Sequence, residues 1–133
     1  MILVDSSVWI DFFNSQPSPA GLELERLISA GAPVAITGLI VLEVLQGLRR
    51  DAEPVTRLFF LCARINSGDF ETYVAAAALA REARRRGVTI GTVEAVIATL
   101  ALAHGAELFT LDQDFTRLGF AGLRLYGFTS GRG

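Results

Sequence analysis

Short apolar runs alternate with longer amphipathic segments along the chain. The apolar runs are typical of buried strands, and they lie at residues 2–4, 34–36, 107–111 and 123–126. The segments between them have apolar positions at helical spacing and predict helices at residues 8–13, 22–30, 39–50, 54–63, 70–86 and 93–104. Strands separated by helix-length segments favour an α/β fold. We therefore predict an α/β/α fold of three layers, with a central, mainly parallel sheet of four or five strands.

Segment ends and side-chain patterns refine this prediction. The segment 70–86 is rich in alanine, follows Asp69 as a candidate N-cap and ends in arginines before Gly87, all of which favour a helix. The segment 39–50 is apolar on nearly all sides, which predicts a deeply buried helix. Residues 65–68 have turn chemistry and predict a break after the helix that precedes them.

Length and composition limit the class of protein. The chain has 133 residues, of which 51% are hydrophobic and 20% charged, and this balance predicts one globular domain over residues 1–129. The glycine-rich tail, residues 130–133, is expected to be disordered. We expect no secretory leader, because Asp5 interrupts the first apolar run, and the apolar run 95–103 is too short to cross a bilayer. With a single cysteine, Cys62, we expect a cytoplasmic protein without membrane contact.

The basic and nucleophilic residues exclude several enzyme classes. All 12 basic residues are arginines, and the absence of lysine argues against P-loop NTPases, kinases, Schiff-base enzymes and response-regulator receivers. One cysteine and one histidine exclude an intrachain disulfide and argue against a Cys/His zinc site. Because the net charge is only −2, any contact with nucleic acid must be local.

Two aspartates stand where predicted strands end. Asp5 follows the first apolar run and Asp112 follows the run at residues 107–111. Sites in open parallel sheets form beyond the carboxyl ends of the strands, so both carboxylates are candidates for function. The alternative is local, because an aspartate after a strand is also a common turn residue or N-cap.

Two glutamates stand alone in apolar segments. Glu43 is the only charged residue between Thr37 and Leu48, and Glu94 is the only ionisable residue from Gly87 to Ala103. An unpaired buried charge must find a cation, lose its charge or face a polar pocket. For Glu94 a second explanation is open, since a carboxylate in the first turn of a helix is favourable there.

Four carboxylates in apolar surroundings, with no lysine to neutralise them, suggest that their partner is not a side chain. A hard divalent cation such as Mg²⁺ or Mn²⁺ takes oxygen ligands and is commonly held by a few carboxylates together with substrate phosphate. Such a site can activate water for an in-line displacement at phosphorus. The residues therefore favour hydrolysis of a phosphodiester.

Four stretches of the chain carry a resemblance to a known family. They are Ile-Leu-Val-Asp-Ser-Ser-Val-Trp-Ile-Asp-Phe at residues 2–12, the isolated Glu43, Glu-Ala-Val-Ile-Ala at residues 94–98 and Thr-Leu-Asp-Gln-Asp-Phe at residues 110–115. In order and spacing they resemble the PIN-domain ribonucleases, specifically the VapC-type toxins of bacterial toxin–antitoxin pairs. The resemblance covers nearly the whole chain. Its first and last motifs are fairly specific together and weak apart.

The resemblance implies an activity and a set of partners. The expected protein is a Mg²⁺- or Mn²⁺-dependent endoribonuclease with the three-layer PIN fold. It would cut RNA, act as a toxin, form a homodimer and be inhibited by a small cognate antitoxin. On this match Asp5, Glu43 and Asp112 are the first, second and fourth metal carboxylates.

The resemblance also assigns supporting residues and shows one departure. Asp114 corresponds to an auxiliary acid, and Ser6 and Ser7 fall where the family has a hydroxyl that orders the site. The third acid of the family is usually an aspartate, and Glu94 occupies that position here. The carboxylate is retained, but the extra methylene group displaces its oxygens in a site that demands near-octahedral geometry.

Two arginine clusters are candidate RNA contacts, because guanidinium groups bind phosphates in a bidentate manner. The six residues are Arg49, Arg50, Arg81, Arg84, Arg85 and Arg86. The alternative is that they are solvated helix ends that complement the helix dipole. Asp11, in the first predicted helix, is expected to face solvent or an arginine.

Two other functions remain open. The departure at Glu94 would suit a catalytically weak PIN fold that binds RNA or a partner without cutting. A phosphatase with an aspartyl nucleophile would explain Asp5 at the end of the first strand. That chemistry calls for a second acid two residues later, where this chain has Ser7, and for a lysine.

Overall fold

A computed structural model of the chain describes residues 1–49 and 51–128. The predicted tail at residues 130–133 and the predicted RNA contact Arg50 lie outside the described residues. In chain order the helices and strands are β1 (Ile2–Val4), α1 (Ser6–Phe12), α2 (Pro19–Ser29), β2 (Val34–Thr37), α3 (Gly38–Gly47), α4 (Glu53–Phe60), β3 (Ala63–Ile65), α5 (Phe70–Arg85), α6 (Thr92–Ala103), β4 (Glu107–Phe109) and a 3-10 helix (Gln113–Ala121).

The four described strands form one parallel sheet in the order β3-β2-β1-β4. In the register, Leu3 of β1 lies opposite Ala35 of β2 and Leu108 of β4. Helices flank the sheet, which confirms the predicted α/β/α architecture. Because all pairs are parallel, the residues that follow β1 and β4 lie at the same edge of the sheet.

The core is built around the central strand β1. Leu3 and Val4 are fully buried, as are Leu108 and Phe109 on β4 and Trp9 on α1. Strands buried on both faces need continuous rather than alternating apolar residues, and this is the pattern that the sequence shows. Among the described residues, none of the helices combines the length and the apolar character that crossing a membrane requires.

One predicted strand is wrong, and the end of one predicted helix and the start of the turn after it are misplaced. The run at residues 123–126 is not a strand, because only Leu125 forms a bridge, to Leu108. The helix predicted over residues 54–63 ends at Phe60, and β3 follows where a turn was expected at Ile65. These segments are short and mix apolar with polar residues, so their pattern fits a strand, a turn or a helix end equally well, and only neighbours in space decide among them.

The predicted deep burial of helix 39–50 is also wrong. The corresponding helix, α3, ends at Gly47 and buries only Ile40 and Val44 completely, whereas Leu42 is 58% exposed. One side of α3 therefore faces solvent, although most residues of this helix are apolar. Sequence periodicity cannot show which apolar stripe of such a helix the sheet covers.

Candidate metal centre

A cleft of about 360 Å³ lies at the carboxyl edge of the sheet. Its lining residues are Asp5, Ser6, Ser7, Glu43, Thr92, Val93, Glu94, Ile97, Asp112 and Phe115. All four carboxylates predicted as metal ligands line this one cleft. The lining contains no arginine and no histidine among the residues that the structure describes. The structure thus brings together acids that lie more than 100 residues apart in the sequence, Asp5 and Asp112.

Asp5 occupies the N-cap position of α1 without capping it through its side chain. Its backbone carbonyl accepts hydrogen bonds from the N–H groups of Val8 and Trp9. Its carboxylate, in a residue only 5% exposed, instead accepts hydrogen bonds from Ser7 Oγ at 2.9 Å and from Thr110 Oγ1 at 2.8 Å. Asp5 is therefore an N-cap in position only, and its side chain belongs to the cleft.

Both hydroxyls are fixed by the chain segment that follows β4. The Ser7 hydroxyl accepts a hydrogen bond from the N–H of Leu111 at 3.0 Å, and the Thr110 hydroxyl accepts one from the N–H of Asp112 at 2.9 Å. Each hydroxyl then donates its only proton to Oδ2 of Asp5. Within the described residues this leaves Oδ1 of Asp5 without a hydrogen bond and available to another ligand.

Thr110 is a site residue that the sequence reasoning missed. It was quoted within the last motif but given no role. The signal available in the sequence was its position, a hydroxyl residue at the end of a predicted strand and two residues before Asp112. By contrast, Ser7 was predicted to order the site, and its contact with Asp5 agrees with that role.

Glu43 reaches the cleft from α3. The hydroxyl of Ser6 lies beside its carboxylate. Burial raises the pKa of Glu43, and the negative charges of Asp5 and Glu94 raise it further, while the hydroxyl of Ser6 lowers it. The carboxylates of the cleft therefore repel one another in the absence of a cation.

Glu94, Asp112 and Asp114 form the tightest group of acids. Each has a carboxylate oxygen within 4.8 Å of one from each of the others. Oδ1 of Asp112 also accepts a hydrogen bond from the N–H of Asp114 at 2.9 Å. Asp112 therefore also caps the 3-10 helix that follows it, which is the local role that the sequence left open. Asp114, predicted as an auxiliary acid, joins this group although it is not part of the cleft lining.

The donor set fits a hard divalent cation. Every polar side chain of the cleft lining offers a carboxylate or hydroxyl oxygen, and oxygen is the ligand atom that Mg²⁺ and Mn²⁺ prefer. A cation would also remove the repulsion that raises the pKa of Glu43. Among the described residues, the oxygens of Glu94, Asp112 and Asp114 lie close enough together to hold one ion, and Asp5 and Glu43 line the same cleft as Glu94 and Asp112.

The predicted RNA-binding arginines lie elsewhere on the surface. Arg85 and Arg86 pair with Glu82, and Arg86 also packs over the ring of Phe120. Arg81 and Arg84 are exposed, with no carboxylate partner within the described ranges. Arg49 is exposed near the end of α3. None of these five arginines lines the acidic cleft.

Comparisons with known proteins agree with this architecture. Residues 2–121 match the family described as PIN domain. The sequence is 37% identical over 119 residues to the ribonuclease VapC11 of Mycobacterium tuberculosis, which covers 86% of this chain and 89% of that protein.

Solved structures show the same fold. The VapBC2 structure from Rickettsia felis, described as bound to a DNA fragment from its promoter, aligns with a TM-score of 0.74 at 23% identity and covers 97% of this chain and 100% of that one. The DNA-bound VapBC structure from Salmonella typhimurium aligns with a TM-score of 0.75 at 17% identity and covers 94% and 96%.

Proposed function

The chain belongs to the PIN domain family, and from this premise we propose that it is an endoribonuclease that uses Mg²⁺ or Mn²⁺ to hydrolyse RNA phosphodiester bonds. The observation that carries the proposal is the convergence of Asp5, Glu43, Glu94 and Asp112 in one cleft that has no basic residue in its described lining. The 37% identity to a protein named as a ribonuclease supports it.

In such a site the residues of the chain have different roles. Asp5, Glu43, Glu94 and Asp112 hold the cation, and Asp114 adds negative charge beside Glu94 and Asp112. Ser7 and Thr110 fix the carboxylate of Asp5 by donating to one of its oxygens, while Ser6 lies beside Glu43 and lowers its pKa. When bound, the ion supplies an activated water and positive charge at the phosphate oxygens.

The charge of the cleft explains why a cation is needed for RNA to enter. Four carboxylates in one cleft repel a phosphodiester unless their charge is compensated. The arginines cannot provide this, because none of those that the structure describes belongs to the cleft lining. Arg81 and Arg84, which are exposed and have no carboxylate partner in the described part of the chain, are the better candidates for contacts with phosphates farther along the strand.

Asp5→Asn provides the direct test. Asparagine keeps an oxygen that accepts hydrogen bonds from Ser7 and Thr110, so the local fold is preserved while the charge is lost. We expect the purified variant to lose RNA cleavage in Mn²⁺ and to lose growth arrest on expression. The matched control is Glu25→Gln, which neutralises an exposed carboxylate outside the cleft. Cleavage by rigorously purified Asp5→Asn protein would refute the proposal.

The second candidate, a PIN fold that binds without cutting, is motivated by Glu94 in place of aspartate. RNA cleavage by the wild-type chain, measured while Mg²⁺ or Mn²⁺ is titrated, distinguishes the two functions. Multiple turnover would support the endoribonuclease function. If cleavage is absent and Glu94→Asp raises it greatly, the binding function is favoured.

In the cell, the proposed role is that of the toxin in a toxin–antitoxin pair, with a small antitoxin protein as partner and a homodimer as the working form. Similarity to VapBC structures supports this role. Expression of the chain alone should arrest growth, and co-expression of a small adjacent gene product should relieve the arrest. Growth that is unaffected by expression of the active wild-type chain would contradict the role as a toxin.

A further inference from the structure

The carboxylate of Glu94 lies against the backbone of Gly91, in the space that a side chain would otherwise fill. A Cβ atom built on Gly91 would lie 1.9 Å from Oε2 of Glu94, 2.9 Å from its Cδ and 3.3 Å from its Oε1. Non-bonded carbon and oxygen atoms do not approach to 1.9 Å. The position of this carboxylate therefore requires that residue 91 have no side chain.

The backbone itself does not require glycine at this position. Gly91 is the N-cap of α6, with φ −72° and ψ 164°, a conformation that any residue adopts. Its carbonyl accepts the first helical hydrogen bond, from the N–H of Ala95. An N-cap usually carries a side chain that binds the free N–H groups of the first turn, and serine, threonine, aspartate and asparagine are preferred there. Gly91 forgoes that stabilisation.

We propose that Gly91 is a positioning residue that makes room for a glutamate as the third acid of the site. This inference rests on the proposed metal-dependent function. The carboxylate that needs the space beside Gly91 is the same one whose oxygen lies within 4.8 Å of oxygens of Asp112 and Asp114. The missing Cβ thus offsets the extra methylene group of glutamate, and Gly91 and Glu94 act as a pair.

The proposal predicts different effects of Gly91→Ala on folding and on metal binding. The clashing atoms belong to the end of a flexible side chain, so Glu94 can rotate away and the fold is kept. Its oxygen must then move by about 1 Å or more, a displacement that is costly in a site with demanding geometry. Metal binding should therefore weaken although the metal-free protein remains as stable as before, or becomes more stable.

The experiment measures Mn²⁺ binding to the full chain by calorimetry and by the Mn²⁺-dependent shift in Tm. Four proteins are compared: wild type, Gly91→Ala, Glu94→Asp and the double variant. With glutamate at position 94, Gly91→Ala should weaken Mn²⁺ binding about 10- to 100-fold, the range seen when groups that orient metal ligands are removed. With aspartate at position 94, the shorter side chain clears the new Cβ. In that background Gly91→Ala should weaken Mn²⁺ binding less than about threefold.

The matched control is Gly47→Ala. Gly47 lies at the end of α3 and has open space where a Cβ would be, so its substitution should leave Mn²⁺ binding unchanged. Equal losses from Gly91→Ala in both backgrounds, or no loss in the glutamate background, would overturn the inference while leaving the metal site intact. Absence of Mn²⁺ binding by the wild-type chain would instead overturn the proposed function, and this inference with it.

Discussion

At the scale of single residues, the candidate site depends on hydroxyl groups as much as on carboxylates. Ser7 and Thr110, which are 103 residues apart, both donate to Oδ2 of Asp5. Each hydroxyl is oriented by a backbone N–H from the segment after β4. A carboxylate held in this way needs no rearrangement when it binds a ligand, which is the usual advantage of a preorganised site.

Thr110→Val tests this arrangement. Valine keeps the shape of threonine but removes the donor to Asp5 and the acceptor for the N–H of Asp112, so we expect RNA cleavage in Mn²⁺ to fall about 10- to 100-fold. Thr110→Ser keeps the hydroxyl and should stay within a few-fold of wild type. Thr56→Val, which removes a hydroxyl that donates to the carbonyl of Ala52 outside the acidic cleft, is the control. Equal activity of the valine and serine variants would show that the hydroxyl has no positioning role.

The raised pKa of Glu43 predicts a pH-dependent stability in the metal-free protein. Since the folded state binds the proton of Glu43 more tightly than the unfolded state does, ionisation of this residue destabilises the fold as pH rises above 4.5, its ordinary pKa. Glu43→Gln should therefore be more stable than wild type at pH 7 in EDTA. Well below pH 4.5 the two should converge, because Glu43 is then neutral in both states.

The measurement is urea unfolding of both proteins across this pH range. Glu25→Gln removes an exposed charge and should leave a difference from wild type that is small at every pH. A Glu43→Gln protein that is less stable than wild type at neutral pH would contradict the stated effect of burial and of the neighbouring charges.

At the scale of elements, one helix caps another. Asp11, on α1, was expected to face solvent or an arginine, and that expectation is wrong. Its carboxylate accepts hydrogen bonds from the N–H and the hydroxyl of Ser18 and from the N–H of Gly21. These groups lie at the start of α2, where the N–H groups of a helix otherwise lack partners. The contact ties the two helices together at one end.

Asp11→Ala should destabilise the protein by about 1–2 kcal/mol at pH 7, the usual cost of losing a helix cap. Burial alone would raise the pKa of Asp11, but the hydrogen bonds from Ser18 and Gly21 outweigh it and lower the pKa below 3.8. The stabilisation is therefore complete above the ordinary pKa and is lost as pH falls through the lowered value. Urea unfolding of the variant measures both effects.

Asp51→Ala is the matched control, since this exposed carboxylate accepts a hydrogen bond from the N–H of Glu53, the first residue of α4. Its substitution should cost less than about 0.5 kcal/mol. If the two variants lose equal stability, the contact between α1 and α2 contributes nothing beyond an ordinary surface cap.

At the scale of the whole molecule, the parallel sheet concentrates charge at one edge. Asp5 follows β1 and Thr110 follows β4, while Glu43 and Glu94 come from helices that begin at this edge, α3 and α6. The fold thus brings mutually repelling carboxylates into a single cleft, and a bound divalent cation would relieve the repulsion. A ligand that binds only the folded state stabilises that state according to its concentration.

We therefore expect Mn²⁺ to raise the stability of the wild-type chain, by about 2.7 kcal/mol at 100 times its dissociation constant. EDTA should reverse the effect. The shift in Tm should disappear in Asp5→Asn and persist in Glu25→Gln, whose substitution lies outside the cleft. A shift of equal size in both variants would indicate that the ion binds elsewhere.

The sequence alone determined the class of the fold, most of the helices and the chemistry of the site. Helix 70–86 is recovered as α5, with Asp69 bound to the N–H of Thr72, because caps and helix propensity act within a few residues. The end of β1 was also visible, since an apolar run followed by an acid is a local pattern, whereas β4 ends at Phe109, two residues before the predicted end. The isolated glutamates Glu43 and Glu94 were visible too, because a carboxylate in apolar surroundings needs a partner.

Only the tertiary structure decided which groups meet. It turned residues 63–65 into a strand and left residues 123–126 with a single bridge. It also placed Thr110 on Asp5 and brought Glu94 beside Asp112 and Asp114. These contacts depend on sheet order and on the packing of elements far apart in the chain, and their energy arises only when those elements are assembled. No pattern among neighbouring residues contains that information.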